Sequence, residues 1–197
     1  MSWLATRFKR PPLSRLALVL LVGVPLAAWA LVKPVRVVAP QLLGLHCPKQ
    51  GVCVESDARR AEAEQLYAEA LSFVAANVGP VAGSPRFIFC SSEACAATFG
   101  LGRRSAVTVG ASGTIVGPRA WKPHYVRHEL IHHLQAQQLG TLPLLFKPSW
   151  FSEGMAYALS EDPRPLLAPP FQAFRAQFQA WYANVGQTAL WQQARQL

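Results

Sequence analysis

Acidic residues are scarce in this chain of 197 residues, because ten Asp and Glu stand against nineteen Lys and Arg and leave a formal net charge of +9. Such an excess can indicate nucleic-acid binding, but its distribution argues against that class. Six of the basic residues precede residue 40, where there are no acids, and the other thirteen nearly balance the ten acids. The basic excess flanks a hydrophobic segment, which is a topology signal, and we expect no nucleic-acid partner.

Internal repeats and long low-complexity tracts are also lacking, which excludes a repeat array. Only 15% of the residues are charged, and part of the apolar excess lies in one N-terminal run. The length suffices for one domain with a hydrophobic core and a short appendage. We predict a cytoplasmic basic leader with a membrane segment over residues 1–36 and an exported domain over residues 37–197.

The N-terminal apolar run extends without a charge over residues 16–32 and follows four basic residues. Its seventeen residues are at the short end for a membrane span. Because positive charges stay in the cytoplasm, this pattern predicts a single-pass anchor in a bacterial inner membrane, with the domain on the periplasmic side. Ala28-Trp29-Ala30 resembles a signal-peptidase site, so a cleaved signal peptide and a periplasmic or secreted protein are the alternative.

Four cysteines follow this export signal, and an even number in an exported chain indicates disulfides. Three pairings are possible, and we favour the local ones, Cys47–Cys53 and Cys90–Cys95, because each closes a short loop of turn-compatible residues. A four-cysteine zinc site fits less well, since Cys47 and Cys53 are farther apart than the usual knuckle spacing.

The rest of the chain reads as an α+β fold with a short sheet and helices around it. A helix is predicted within 58–79 and a strand buried on both faces at 85–90. A short helix at 91–100 and a hairpin between 106–109 and 114–116 follow. Further helices are predicted over 123–138 and 150–160, with Ser149 as the cap of the second, and a last helical region begins at Phe171.

The sequence His128-Glu129-Leu130-Ile131-His132 has the form His-Glu-x-x-His within the helix over 123–138. At positions i and i+4, the two imidazoles lie on one face and can bind a single metal ion. Glu129 projects to the side, where it could take a proton from a water at the metal.

A catalytic zinc site needs a third protein ligand, and Glu153 is the strongest candidate. It lies 21 residues downstream on the next predicted helix, among aromatic and small residues where an unpaired carboxylate would be costly. A divalent cation is a natural counter-ion. Gly154, directly after it, would let the backbone of the active helix approach closely.

Together, HELIHHLQ and PSWFSEGMAYALS resemble the gluzincin zinc metallopeptidases, specifically the compact bacterial peptidase MA-like group with a Pro-x-Trp-x-x-Glu-Gly-x-Ala motif. The resemblance covers about residues 86–162. It implies a small zincin-like domain that binds one Zn²⁺ per chain through His128, His132 and Glu153, with Glu129 as the general base. It also implies that a sheet edge, formed by 106–109 or 114–116, holds a peptide substrate by strand pairing.

Other polar residues near the motif have weaker assignments. Tyr157 and His124 share the face of the ligands and are candidates to brace a histidine or to bind the oxyanion. Tyr182 could fold over the cleft. His133 points about 100° from His132, so we expect it to be exposed or capping.

We therefore expect a membrane-anchored or exported zinc peptidase that acts on peptide or protein substrates. The alternatives are a non-catalytic zinc-bearing binding or assembly factor of the cell envelope, and a zinc hydrolase of a non-peptide amide. Polar neighbours such as Arg127 and Gln135 exclude an intramembrane protease, whose histidines would lie in an apolar span.

Overall fold

Five short strands form one sheet in the computed structural model, which describes residues 13–49 and 51–197. The order across the sheet is β1-β2-β3-β5-β4; β2, β3 and β5 are parallel, and the outer strands pair antiparallel to their neighbours. The predicted α+β class and hairpin are confirmed. The strands are β1 (His46–Lys49), β2 (Val52–Val54), β3 (Phe87–Phe89), β4 (Ala106–Val109) and β5 (Gly113–Val116).

The middle strand, β3, separates two apolar clusters, because successive side chains of a strand point to opposite faces. Phe87 and Phe89 pack on one face, against the long helices, and we call it the helix-covered face. Ile88 packs on the other, together with three of the cysteines, and we call it the disulfide face. All three strand residues have 0% exposure, which confirms the prediction of a strand buried on both sides.

Four helices build the helix-covered face: α3 and α5 pack against each other, α5 packs against α7, and α7 against α8. The helix α4 covers part of the disulfide face. Ser149 begins α7 and makes no capping hydrogen bond, so its predicted role as a cap is wrong. The α-helices are α1 (Leu13–Leu18), α2 (Val24–Leu31), α3 (Arg60–Asn77), α4 (Glu93–Thr98), α5 (Pro123–Leu139), α6 (Thr141–Leu144), α7 (Ser149–Leu159) and α8 (Phe171–Gln196), the last interrupted at Gly186.

The contact between α7 and α8 depends on a glycine. A Cβ atom at Gly154 would lie 2.3 Å from the carbonyl oxygen of Phe174 and 2.8 Å from the Cβ of Phe178. Any larger residue would therefore push α8 away from α7. The prediction that the backbone of the active helix approaches Gly154 is wrong, because the backbone that lies against this glycine belongs to α8.

Both predicted disulfides, Cys47–Cys53 and Cys90–Cys95, are present. The first joins β1 to β2, two strands that the sequence pattern does not predict. The second joins the end of β3 to α4, where the Ser92 hydroxyl accepts a hydrogen bond from the Cys95 amide and caps the helix.

The predicted membrane-spanning segment over residues 16–32 is wrong. The run is divided among three short pieces, namely α1, a π-helical stretch at Val19–Gly23, and α2, which has eight residues. A membrane-spanning helix needs about 20 apolar residues, and among the described residues no helix is both long and apolar enough to cross a bilayer. The predicted single-pass localisation in the inner membrane is overturned by the same finding. Residues 1–12 of the predicted leader lie outside the described residues.

Candidate metal centre

Helix α5 places the two histidines of the motif side by side. The helix begins with Pro123, whose missing N–H is not needed in the first turn, and ends before Gly140, which has a φ of 85°. One helical turn separates His128 from His132, so their Nε2 atoms lie 3.1 Å apart. Both rings turn the same nitrogen toward one point.

Helix α7 brings Glu153 to the same point. Its carboxylate oxygens lie 3.8 Å from the Nε2 of His128 and 3.7 Å from the Nε2 of His132. In a tetrahedral zinc site with bonds of roughly 2.0–2.1 Å, ligand atoms are roughly 3.3 Å apart. The three side chains therefore match such a site in donor type and spacing, and they could hold a metal ion.

The charges of these three groups are coupled. Burial is the main reason why the pKa of His128 is lowered to about 3, and the positive charge of His132 contributes to the same shift. Burial also disfavours a charge on His132, but the carboxylates of Glu153 and Glu129 outweigh it and raise the pKa of His132 to about 9. Burial would raise the pKa of Glu153, yet the two histidines lower it. These shifts favour a positive charge on His132 beside the Glu153 carboxylate, and a metal cation bound there would take the place of that proton.

Gln135 connects the two ligand-bearing helices. Its side chain is completely buried, with the amide oxygen 2.9 Å from the Nδ1 of His132. The amide nitrogen donates a 2.9 Å hydrogen bond to the carbonyl oxygen of Ser152, the residue before Glu153. One buried amide thus contacts a candidate ligand on α5 and the backbone beside a candidate ligand on α7.

Glu129 is held by the edge strand β4. The Thr108 hydroxyl lies 2.7 Å from Glu129 Oε2 and 2.9 Å from the Thr114 hydroxyl. A hydroxyl has one proton, so if Thr108 donates to the Glu129 carboxylate it accepts a hydrogen bond from the buried Thr114 hydroxyl. Burial raises the pKa of Glu129, although the His132 charge and the Thr108 hydrogen bond oppose that rise. The result is a fixed carboxylate with a stronger tendency to accept a proton than an exposed glutamate has.

A cleft of about 610 Å³ opens over these residues. Residues of β4, α5 and α7 line it, together with Leu144, Leu145 and Arg164. Leu145 is 73% exposed, so part of the lining is apolar and accessible to solvent.

The residues with weaker assignments fall into two groups. Tyr157 and His124 both line the cleft: the Tyr157 ring stands edge-on to His128 at a centroid distance of 4.4 Å, and the His124 ring packs on Tyr125 at 4.6 Å. Tyr182 stacks on Phe178 in the helical core and is not part of the cleft lining. His133 is only 4% exposed, so the expectation that it is at the surface is wrong.

Sequence reasoning missed Thr108, Gln135 and Arg164 as parts of the site. Arg164 pairs with the buried carboxylate of Asp162 and lies 5.7 Å above the Tyr157 ring. A helical pattern could have found Gln135, which lies one turn after His132. Thr108 has no such signal, because its contact depends on how β4 is aligned with α5.

Comparison with known proteins identifies no relative: no protein-family model, curated protein or solved structure matches this chain. The gluzincin resemblance therefore depends on the two sequence motifs alone.

Proposed function

We propose that this protein is a zinc-dependent peptidase of the gluzincin type. The observation that carries the proposal is the convergence of His128, His132 and Glu153, whose ligand atoms all lie within 4.8 Å of one another. Two imidazoles and one carboxylate are the ligand set of catalytic zinc sites that leave a fourth position open. Two disulfides are typical of proteins that fold in an oxidising compartment outside the cytosol.

His128, His132 and Glu153 would hold the zinc, which would supply Lewis-acid chemistry toward a carbonyl group and would lower the pKa of a water molecule toward neutrality. In the proposed reaction Glu129 accepts the proton of that water and later gives it to the leaving amine. The Thr108 hydroxyl donates a hydrogen bond to Oε2 of Glu129, and the described residues provide no donor to Oε1. We therefore assign Oε1 as the oxygen that transfers the proton. Burial of Glu129 supports the assignment, because it makes the carboxylate more basic.

The substrate we propose is an extended peptide that adds a strand to the sheet. Strand β5 is paired on both sides, with β3 and with β4, whereas β4 pairs with β5 alone and lines the cleft. Of the two edges suggested by the family resemblance, only Ala106–Val109 has backbone groups that could pair with a peptide. Tyr157 and Arg164 line the cleft beside His128 and are the candidates to bind the oxyanion.

The proposal is tested by measuring bound metal and peptide cleavage with the full chain. We expect wild-type protein to contain one equivalent of zinc and to cleave an unfolded protein substrate in a chelator-sensitive manner. Glu129→Gln should retain the zinc and lose about 10²–10⁴-fold in turnover, the usual contribution of a general base.

Each outcome separates the candidate functions. Full activity of Glu129→Gln would contradict the proposed role of this carboxylate. Stoichiometric zinc without peptide cleavage by wild-type protein would favour the non-catalytic zinc-bearing factor or a hydrolase of a non-peptide amide. Absence of zinc binding would refute the metal centre itself.

A further inference from the structure

Gln135 makes two hydrogen bonds whose donors and acceptors can be assigned from chemistry alone. The carbonyl oxygen of Ser152 can only accept, so the Gln135 group 2.9 Å from it must be the NH₂ group. The amide oxygen of Gln135 therefore faces the Nδ1 of His132 at 2.9 Å. An amide oxygen can only accept, and this nitrogen of His132 must carry a hydrogen.

This assignment fixes the ring nitrogen that is presented to a metal. When His132 is neutral and Nδ1 carries the hydrogen, the lone pair is on Nε2. Nε2 is the atom that lies 3.1 Å from His128 and 3.7 Å from Glu153. Gln135 thus selects the tautomer in which His132 can bind a metal together with the other two residues.

The second hydrogen bond acts on the third ligand. Ser152 directly precedes Glu153 on α7, so the Gln135 amide holds the backbone that carries this carboxylate against α5. With 0% exposure, the Gln135 side chain has no access to bulk water as an alternative partner.

We propose that Gln135 is a positioning residue of the metal centre, which orients His132 and fixes the helix of Glu153 at the correct distance. This inference rests on the proposed function, because it presupposes that the three residues bind zinc. Groups that hold metal-bound histidines typically contribute 10- to 100-fold to metal affinity or activity.

The test compares the same substitution at two positions of α5. Gln135→Met keeps the length of the side chain and removes both hydrogen bonds. Gln137→Met is the matched control, since Gln137 bonds the backbone of Ala82 and the ring of His133 and lies outside the ligand cluster. We expect Gln135→Met to weaken zinc binding by about 10- to 100-fold in chelator competition, and to alter the visible spectrum of the Co²⁺-substituted protein. Gln137→Met should leave both unchanged.

A second variant distinguishes the effect of Gln135 on the orientation of His132 from its effect on packing. Gln135→Glu retains an oxygen acceptor for the N–H of His132 but loses the donor to Ser152. We expect it to recover most of the zinc affinity and the Co²⁺ spectrum, with a melting temperature still below that of wild type. Equal zinc affinity of Gln135→Met and wild type, or no recovery in Gln135→Glu, would overturn the inference. If wild-type protein binds no zinc, the proposed function itself fails, and that result is distinct from either outcome.

Discussion

The two faces of the sheet differ in what holds their side chains in place. On the disulfide face the buried residues are apolar or cysteine, and the disulfide Cys90–Cys95 cross-links the layer. In the described part of the chain, the buried polar and charged residues belong to β5, to α5 or to the end of α7, and they include three residues of the candidate metal centre, His128, Glu129 and Gln135. The full set is Thr114, His128, Glu129, His133, Gln135 and Ser160.

This division indicates that covalent links stabilise one face, whereas hydrogen bonds and the proposed metal organise the other. Buried polar groups cost free energy unless they are paired, so the polar residues of the helix-covered face should lower its stability relative to an apolar interior. Changes on the disulfide face should therefore alter stability without affecting metal binding. Substitutions around His128, His132 and Glu153 should change metal affinity more than they change stability.

The largest effect is expected from the metal itself. Zinc at about 100 times its Kd should add about 2.7 kcal/mol to the free energy of unfolding. For a chain of this length that corresponds to a rise in melting temperature of roughly 5–10 °C. Glu153→Gln should abolish most of this rise, because its loss as a ligand should cost more than the roughly 100-fold typical of supporting residues. Thermal unfolding with and without zinc measures both.

Glu62→Gln is the matched control for Glu153→Gln. Glu62 is an exposed residue on α3 that pairs with Arg59, and it is not one of the three candidate ligands. Its variant should respond to zinc as wild type does. Equal stabilisation of Glu153→Gln and wild type by zinc would show that the metal binds elsewhere.

The next largest effect lies on the disulfide face. Replacing both Cys90 and Cys95 by Ala removes a cross-link that closes a short loop, and chain-entropy arguments give a cost of about 2 kcal/mol. We expect chemical denaturation to show this loss, with zinc affinity unchanged because the link lies across the sheet from α5. A parallel fall in zinc affinity would show that the two faces are coupled.

The features predicted correctly from the sequence are local in the chain. The spacing of His128 and His132 is a property of one helix, and each disulfide joins cysteines five or six residues apart. The proximity of Glu153 to the two histidines is also confirmed, although it joins two separate helices. It was predictable because a carboxylate within an otherwise apolar helix indicates a nearby cation before any packing is known.

The features that sequence reasoning missed depend on packing between distant elements. His133 was expected to be exposed from its angle on α5, but α3, α7 and α8 all pack on this helix and cover more than one side of it. The membrane span is predicted from the apolar composition of the N-terminal run, and composition does not determine how long each helical piece is. The contact of Thr108 with Glu129 requires the register of β4 against α5, which no local pattern encodes.

That Thr108 contact provides a smaller, more specific test on the helix-covered face. Thr108→Val keeps the shape of the side chain and removes the hydrogen bond to the Glu129 carboxylate. A hydrogen bond to a charged group contributes about 1.5 kcal/mol, so we expect peptide turnover to fall about tenfold. Zinc affinity should not change, because Thr108 contacts none of the three ligands in the described structure.

Thr108→Ser is the conservative control, since it retains the hydroxyl and should recover most of the turnover. Turnover of Thr108→Val equal to that of wild type would mean that β4 does not orient Glu129. A loss of zinc in Thr108→Val would instead assign it a structural role.

The smallest effect is expected on the disulfide face, at Glu55. This carboxylate accepts hydrogen bonds from the amides and hydroxyls of Ser91 and Ser92 and so holds the N-terminus of α4. Partial burial would raise the pKa of Glu55, but these hydrogen bonds outweigh it and lower the pKa below the usual 4.5. A carboxyl group with a lowered pKa in the folded state stabilises the protein fully above its unfolded-state pKa. That stabilisation is lost as the pH falls through the folded-state value.

Glu55→Gln should therefore cost about 1 kcal/mol or less at pH 7, because the group is partly solvated. The difference in free energy of unfolding between wild type and Glu55→Gln should shrink as the pH is lowered from about 5 toward 3. Urea denaturation at a series of pH values measures it, in the presence and absence of zinc. A difference that grows at low pH would contradict the lowered pKa of Glu55. A difference that depends on zinc would contradict the separation of the two faces.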